Sequence, residues 1–479
     1  MQHTFNLKWL YAGITLYALL AAACIAKEFY WILVLPAIFT VFLFAFFKTD
    51  KIYYLISLVT PLSINLTDTG VGGIGLSLPS EPLIFGIMFL LLIDYLIKWE
   101  QTKTLFEHPI TFLIGIHLLW FLVSTITSSL FIVSVKQFLA RLSFIVVFYF
   151  FSLQIFKQFK NFYLFAWLHI AALLIVIAYS ITIHAGGNFN QQLAHHAMTP
   201  FYNDHTAYAA AIALFLPLTL SFCFLKNKSF LFRFFSIATT IVLVIAIVLS
   251  YTRASWLGIF AAAVSYFVFL FRVKTHIVII GIIILVAGYF VYQNTVVYKF
   301  GKTTKYSSSN YEDHIKSITN IKTDASNLER LNRWSCAWRM FLDRPVLGWG
   351  PGTYQFQYGT YQKSSEKSII STNSGDRGNA HSEYLGPLCE QGFLGAIIFI
   401  ILSIVIILRS SKLIYSSTDY NIRLVATGLF LGLITYWIHG FLNNFLDTEK
   451  LSVPFWAFIA ALVVLEQQQK IKENQFRNY

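Results

Sequence analysis

Three observations predict an all-α polytopic membrane protein of about twelve to fourteen transmembrane helices with one long loop on its outer side. Hydrophobic residues make up 57% of the 479-residue chain and only 12% of it is charged, too little charge to cover a soluble domain of this length. Apolar runs of roughly 20 residues, the length that crosses a hydrocarbon core, recur along most of the sequence. Lys and Arg are shared unequally between alternate connecting segments, as orientation in a membrane requires.

Hydropathy places fourteen spans at 9–26, 29–47, 52–66, 82–97, 109–130, 138–156, 162–183, 205–225, 234–250, 254–271, 275–293, 382–408, 424–440 and 451–466. The third is short and carries Pro61, and a polar connection, 184–204, separates the seventh from the eighth. The first run is followed at once by a second, so it reads as an uncleaved span and not as a signal peptide. With the N-terminus in the cytoplasm, the cytoplasmic segments hold 18 of the 35 Lys and Arg. The short segments on the other face hold only Lys27, Lys136, Arg141, Arg253 and Lys450, and the remaining 12 lie in the loop 294–381. This asymmetry puts both termini inside and the long loop outside. It also accounts for most of the net charge of +13 without nucleic acid as a partner. The chain then divides into an N-terminal bundle (1–293, about eleven spans), the outer loop (294–381), and C-terminal helices with a cytoplasmic tail (382–479, about three spans).

The loop changes composition sharply. Residues 302–329 are rich in Ser, Thr, Asn and Lys. The spacing of Ser326 and Glu329 suits a capping box. Leu331, Trp334, Trp338, Phe341 and Leu342 then recur at helical intervals and predict one apolar face. Pro345, Gly348, Gly350, Pro351 and Gly352 end the helix in turns. Cys24, Cys223, Cys336 and Cys389 show no metal-ligand spacing, and only Cys336–Cys389 is left open as a disulfide. The glycines of Thr67–Gly73 lack the strand–turn–helix setting of a nucleotide loop.

Polarity at membrane depth is costly, so it points to function. Arg253, in Ser250-Tyr251-Thr252-Arg253-Ala254-Ser255-Trp256-Leu257-Gly258, stands at the outer face against the orientation bias. It is either a snorkelling side chain on lipid phosphate or a ligand for an anionic substrate. Arg141 and Lys136 pose the same choice, and for them the lipid contact is the simpler reading. His381 closes the loop and opens the twelfth span, with Glu383 and Glu390 within two turns. A neutral imidazole there can take a proton at pH 7 or simply cap a helix. Arg330, Arg333, Arg339 and Arg344 share the loop helix, where most charges are merely solvated. Asn203-Asp204-His205-Thr206 opens the eighth span as a polar cap or as the lining of an acceptor cleft.

Three patches resemble the O-antigen ligase and polymerase family of bacterial envelope glycan enzymes, and the likeness runs over about residues 200–440. Thr252-Arg253-Ala254-Ser255-Trp256-Leu257-Gly258 looks like the family's outer-face arginine motif. Arg330-x3-Trp334 with Pro345-Val346-Leu347-Gly348-Trp349-Gly350-Pro351-Gly352 looks like its periplasmic-loop signature. His381-Ser382, followed after nine residues by Gly392-x2-Gly395, looks like the ligase histidine motif. The resemblance implies a GT-C-like, metal-independent, inverting glycosyltransferase of the bacterial inner membrane, with its site facing the periplasm and no cofactor. The implied donor is a glycan on undecaprenyl pyrophosphate. The acceptor is lipid A–core for a ligase, another lipid-linked repeat for a polymerase, or a protein side chain for an oligosaccharyltransferase. His381 becomes the implied general base, and Arg253 and Arg330 the pyrophosphate ligands, with Arg333 in reserve. Asn203, His205, Glu383 and Arg141 are further candidates for substrate contact. Family members commonly have about twelve spans. A polysaccharide transporter is the reading from a different class, and it would place charges at the midplane of many spans and show a repeat.

Overall fold

The computed structural model describes residues 48–66, 75–98, 103–273, 325–367, 371 and 378–477. The spans expected at 9–26, 29–47 and 275–293, Cys24, the segment 67–73 and most of 302–329 lie outside the described residues. The chain forms two compact units, Met1–Leu55 and Ile56–Tyr479. Of the first, the described residues belong mostly to helix α1 (Thr49–Val59). The second holds every other described residue.

Ten helices among the described residues are long and apolar enough to cross a membrane, so the protein is multi-pass. They are α2 (Ser80–Ile97), α3 (Pro109–Ile126), α4 (Phe131–Ile155), α5 (Lys160–Gly186), α6 (His205–Cys223), α7 (Phe230–Leu249), α8 (Arg253–Leu270), α10 (Leu385–Ser416), α11 (Tyr420–His439) and α12 (Glu449–Gln475, helical on to Arg477). Helix α9 (Ala325–Asp343) lies in the loop. Each of the ten answers one predicted span. The span expected at 52–66 is a correction. Helix α1 has 11 residues, which rise about 16 Å, roughly half a hydrocarbon core. Thr60–Leu62 then tightens into a 3-10 turn carrying Pro61. Ile64–Asn65 (β1) next pairs antiparallel with Ser77–Leu78 (β2).

Short polar side chains start the helices that build the site. Asp204 caps α6, Ser229 caps α7 and Asp419 caps α11, each accepting backbone N–H bonds of the first turn. Helix α11 packs between α6 and α8, and small residues let the backbones approach. A Cβ on Gly258 would stand 2.7 Å from the Thr435 carbonyl oxygen, and one on Gly432 would stand 2.4 Å from that of Leu214. This contact brings the first turn of α8 beside the last turn of α11.

The loop is clamped to the start of α10. Gly392 breaks that helix with φ +71° and ψ −175°, and a Cβ there would lie 2.0 Å from the Val346 carbonyl oxygen. The freed backbone is used. Phe393 N–H donates to Pro345 O (2.9 Å), Trp349 N–H to Cys389 O (3.1 Å) and Gly350 N–H to Glu390 O (2.8 Å). Glu390 Oε1 accepts from Tyr354 N–H at 3.0 Å. The turn 345–352 is therefore a docking element.

The apolar face expected of α9 is also corrected. Its buried stripe is Asn332, Arg333, Cys336, Ala337 and Met340, and the last three pack with Tyr354, Tyr358, Ala380 and Cys389. Leu331, Trp338 and Leu342 are exposed. Two stripes, one turned to the bundle and one outward, share the helix. Glu329 pairs with Arg333 and Ser371, and the capping box expected at Ser326 falls at the edge of the described residues. Cys336 and Cys389 are free thiols in one core cluster.

Candidate active site

His381 sits at the end of the bundle where α6, α8, α10 and α12 begin and α11 ends. Its backbone adopts φ +48°, a left-handed conformation that costs a non-glycine residue about 1–3 kcal/mol and persists only where its surroundings impose it. Here both backbone groups are tied. His381 N–H donates to Asn379 Oδ1 at 3.1 Å, and its carbonyl accepts from Trp334 Nε1 at 3.3 Å. Ser382 Oγ accepts from Tyr384 and Leu385 N–H, both at 3.3 Å, and so starts α10.

Helix α9 supplies the arginines. Arg333 Nε donates to Glu329 Oε1 at 2.9 Å and Nη1 to Asn379 O at 3.1 Å, with the guanidinium 5.4 Å from the Tyr358 ring centre. Buried and paired with a carboxylate, Arg333 holds the segment 378–381 in place. Arg330, one turn earlier, is half-buried and lies within electrostatic reach of His381. Withdrawal from water, then Arg333 and Arg330, lower the His381 pKa to about 4, against the opposing pull of Asp204 and a hydrogen bond with Asn443. The imidazole is thus neutral at pH 7.

Asp204 comes from the N-cap of α6. Burial would raise its pKa, but hydrogen bonds and charge from His205 and two bonds from Thr206 hold it well below the usual carboxylate range. His205 Nδ1 lies 3.1 Å from Asp204 Oδ1, and its ring stacks on His195 with centres 4.2 Å apart. Asn203 is exposed.

Arg253 is the first residue of α8, after Tyr251 at φ +50°. Thr252 Oγ1 donates to His205 O at 3.4 Å and to Ser250 O at 3.2 Å, which joins the starts of α6 and α8. Two residues on, Ser255 Oγ is 3.3 Å from His439 Nδ1. His439 Nε2 is 3.0 Å from Asn443 Nδ2, and Asn443 opposes the lowering of the His381 pKa. The fold therefore joins the helix of Arg253 to the α11–α12 connection through buried polar side chains.

The remaining candidates occupy a neighbouring cluster. Arg141 Nη2 donates to Asp447 Oδ1 at 2.9 Å and is buried over the Phe121 ring. Glu383 Oε1 accepts from Tyr436 Oη at 2.5 Å and Leu446 N–H at 2.9 Å, while its own N–H donates to Gly440 O at 2.8 Å. Burial, then Asp447, push its pKa up to about 7. Glu383 thus ties α10 to the α11–α12 connection, and its carboxylate is engaged by Tyr436 and Leu446 rather than by the imidazole. Asn443, His439, Ser255 and Asp204 join the site without having been singled out individually. Asn443-Asn444, polar and directly after a span, was the one signal that could have found them.

Likeness to a known family decides how this geometry is read. Residues 238–400 match the O-antigen ligase family. The O-antigen ligase match covers about a third of the chain and contains Arg253, Arg330, Arg333 and His381. It supports a glycan ligase or transferase activity in general. Asp204, His439 and Asn443 lie outside the O-antigen ligase region. No curated protein matches the chain.

Proposed function

We propose that the protein is an inverting glycosyltransferase with a GT-C-like helical architecture, moving a glycan from undecaprenyl pyrophosphate to an acceptor hydroxyl on lipid A–core. It works at the periplasmic face of the bacterial inner membrane, with both termini cytoplasmic. The observation that carries this reading is a half-buried His381, held at φ +48°, with Arg330 within electrostatic reach of it, inside the region similar to O-antigen ligases. A pyrophosphate is a polyanion and also the leaving group. Arginine forks give it planar, charge-assisted hydrogen bonds. Arg330 and Arg253 fill that role, and Arg333, already spent on Glu329, positions the histidine segment. Arg253 also stands at the N-terminus of α8, where the helix dipole favours an anion.

The acceptor oxygen attacks C1 of the donor sugar, and its proton moves to the free ring nitrogen of His381. The C1–O bond to pyrophosphate breaks on the opposite face, and its electron pair leaves with the phosphate oxygen. The arginines stabilise that growing charge. One displacement inverts the anomeric centre and needs no enzyme nucleophile. Arg141 and Glu383 are a structural pair of contacts beside this path, and His205 and Asn203 border it from α6.

Deletion of the gene, followed by lipopolysaccharide gels, tests the reading. Core without a ladder and an accumulation of lipid-linked polymer is the expected outcome. Core bearing a single repeat would instead make the protein a polymerase. Intact lipopolysaccharide with lost glycoproteins would make it a protein oligosaccharyltransferase. Loss of export without any missing glycosidic bond would make it a transporter.

A further inference from the structure

The end of the bundle opposite His381 carries cations that no carboxylate answers. Lys157 and Lys160 stand at the start of α5, Lys228 on the α6–α7 connection and Arg233 in the first turn of α7. Among the described residues, none of the four pairs with an acid. The acids nearby are taken: Asp419 caps α11 and pairs with Lys472 at 2.7 Å, and Glu466 pairs with Arg409 and Lys470. We propose that the first turns of α5 and α7 bind the phosphate of an anionic phospholipid, in the leaflet that this end of the bundle meets. Its acyl chains would lie along the bare apolar face of α7.

The central lysine is held in place. Lys228 Nζ stands 4.2 Å from the Tyr163 ring centre and 5.2 Å from that of Phe232. Tyr163 lies one turn after Lys160 on α5, and Phe232 lies in the first turn of α7, so Lys228 sits where the two helix starts meet. The two rings stand edge to face, with centres 6.3 Å apart. A ring face attracts an ammonium without neutralising it, so its charge and N–H donors remain for an anion. Arg233 is fixed as well: Nη2 donates to Leu225 O at 3.2 Å, and the side chain stays exposed. Both helices point their N-termini at this place, and their dipoles add to the positive field. Lys226 belongs elsewhere, over the Tyr420 ring of α11 at 4.6 Å.

A phospholipid also needs a surface for its tails. Leu231, Phe234, Phe235, Ile241, Ile245 and Val248 recur at helical intervals along α7, and each is at least 44% exposed. An apolar stripe is ordinary on a span. This one starts in the same turn as Arg233, directly after Lys228, so headgroup charge and tail surface are continuous. Charge complementarity then selects the lipid. A zwitterionic headgroup brings its own cation to a place that already has several, whereas an anionic headgroup relieves their mutual repulsion. Basic residues between spanning helices at the headgroup level suit such a lipid.

The test uses the full chain purified in detergent. Native mass spectrometry counts bound lipid, and a thermal melt follows added phosphatidylglycerol or phosphatidylcholine of matched chains. Phosphatidylglycerol should bind more tightly and raise the melting temperature more. Lys160→Ala and Lys228→Ala should each weaken it about fivefold, the worth of one basic residue at an anionic surface. Lys412→Ala, exposed at the same end but outside the site, should not. Tyr163→Leu keeps every charge and removes the ring that holds Lys228, so it should weaken phosphatidylglycerol too. If that variant does not fold, the two lysine variants decide. Equal affinity for the two lipids, or an equal loss in Lys412→Ala, would overturn the site. Unchanged affinity in folded Tyr163→Leu would overturn it as well, leaving only a general surface attraction. Equal stabilisation by glycerol phosphate, the headgroup without tails, would overturn the lipid as occupant.

Discussion

His381 is held neutral by burial and by two arginines, one of which, Arg330, is proposed to receive the donor, so the imidazole differs in basicity between the resting and the loaded protein. Burial first, and then Arg333 and Arg330, lower its pKa to about 4. A pyrophosphate brought to Arg330 offsets that positive field, and the imidazole becomes more basic when its proton is needed. Because kcat/KM reports the free protein and kcat the complex, the acid limb of kcat should lie at higher pH than that of kcat/KM. Coincident limbs in the two profiles would show that donor charge does not reach the imidazole. Glu383 gives a second residue-scale prediction. Its pKa of about 7 is raised from 4.5, so its contribution to stability is full below pH 4.5 and falls as pH rises through 7. Glu383→Gln keeps an acceptor for Tyr436 and Leu446 and should leave the melting temperature within a few degrees at pH 6. Glu383→Ala leaves buried donors unmatched, at about 1–3 kcal/mol each, and should melt clearly lower in the same thermal shift measurement. The charged residues of the site were legible in the sequence because charge near an apolar run is conspicuous. Asn443 and Ser255 were not, because an uncharged polar side chain at a helix end is common, and only the packing of α11 against α8 makes these two meaningful.

At the scale of elements, the break in α10 matters most, because it seats the loop that delivers His381 and the arginines. Gly392→Ala would force a methyl group onto the Val346 carbonyl oxygen and a side chain into φ +71°. The combined cost should exceed about 2 kcal/mol, read as lost transfer together with faster proteolysis of the loop in otherwise membrane-inserted protein. Sequence periodicity located α9 but misjudged its faces. Its residues include two apolar stripes, and periodicity cannot tell which one meets the bundle when the buried one contains Asn332 and Arg333. Those two are buried because Glu329, Asn379 and Ser371 satisfy them. The outward stripe runs from Leu331 through Trp338 and Leu342 to Val346, which touches Gly392 beside the exposed Phe393 and Ile397 of α10. An apolar stripe continuous with a span is suited to the headgroup boundary. A nitroxide at position 342 should relax faster with oxygen than with a water-soluble nickel chelate, and the reverse preference would place the stripe in water.

For the whole molecule, the span pattern was legible because twenty apolar residues in a row leave few other structures open. The one described exception, α1, ends early because Thr60 and Pro61 turn the chain where hydropathy alone sees a continuous run. Orientation is a separate matter, since hydropathy is symmetric and only charge distinguishes the two sides. Lys226, Lys228, Arg233, Lys412 and Arg423 gather at the end of the bundle opposite His381, where Lys226 N–H and Asn421 Oδ1 join the α6–α7 and α10–α11 connections at 2.9 Å. The proposed orientation, which follows the positive-inside bias, has that end in the cytoplasm and His381 in the periplasm. Ser365 and Thr418 are exposed on the two opposite sides. In a variant whose four native cysteines are replaced, a cysteine introduced by Ser365→Cys should react with a membrane-impermeant maleimide in cells whose outer membrane has been permeabilised. One introduced by Thr418→Cys should react only after the inner membrane is broken. The opposite pattern would place His381 and the arginines in the cytoplasm. It would remove the periplasmic donor from the proposed reaction whatever the site residues do.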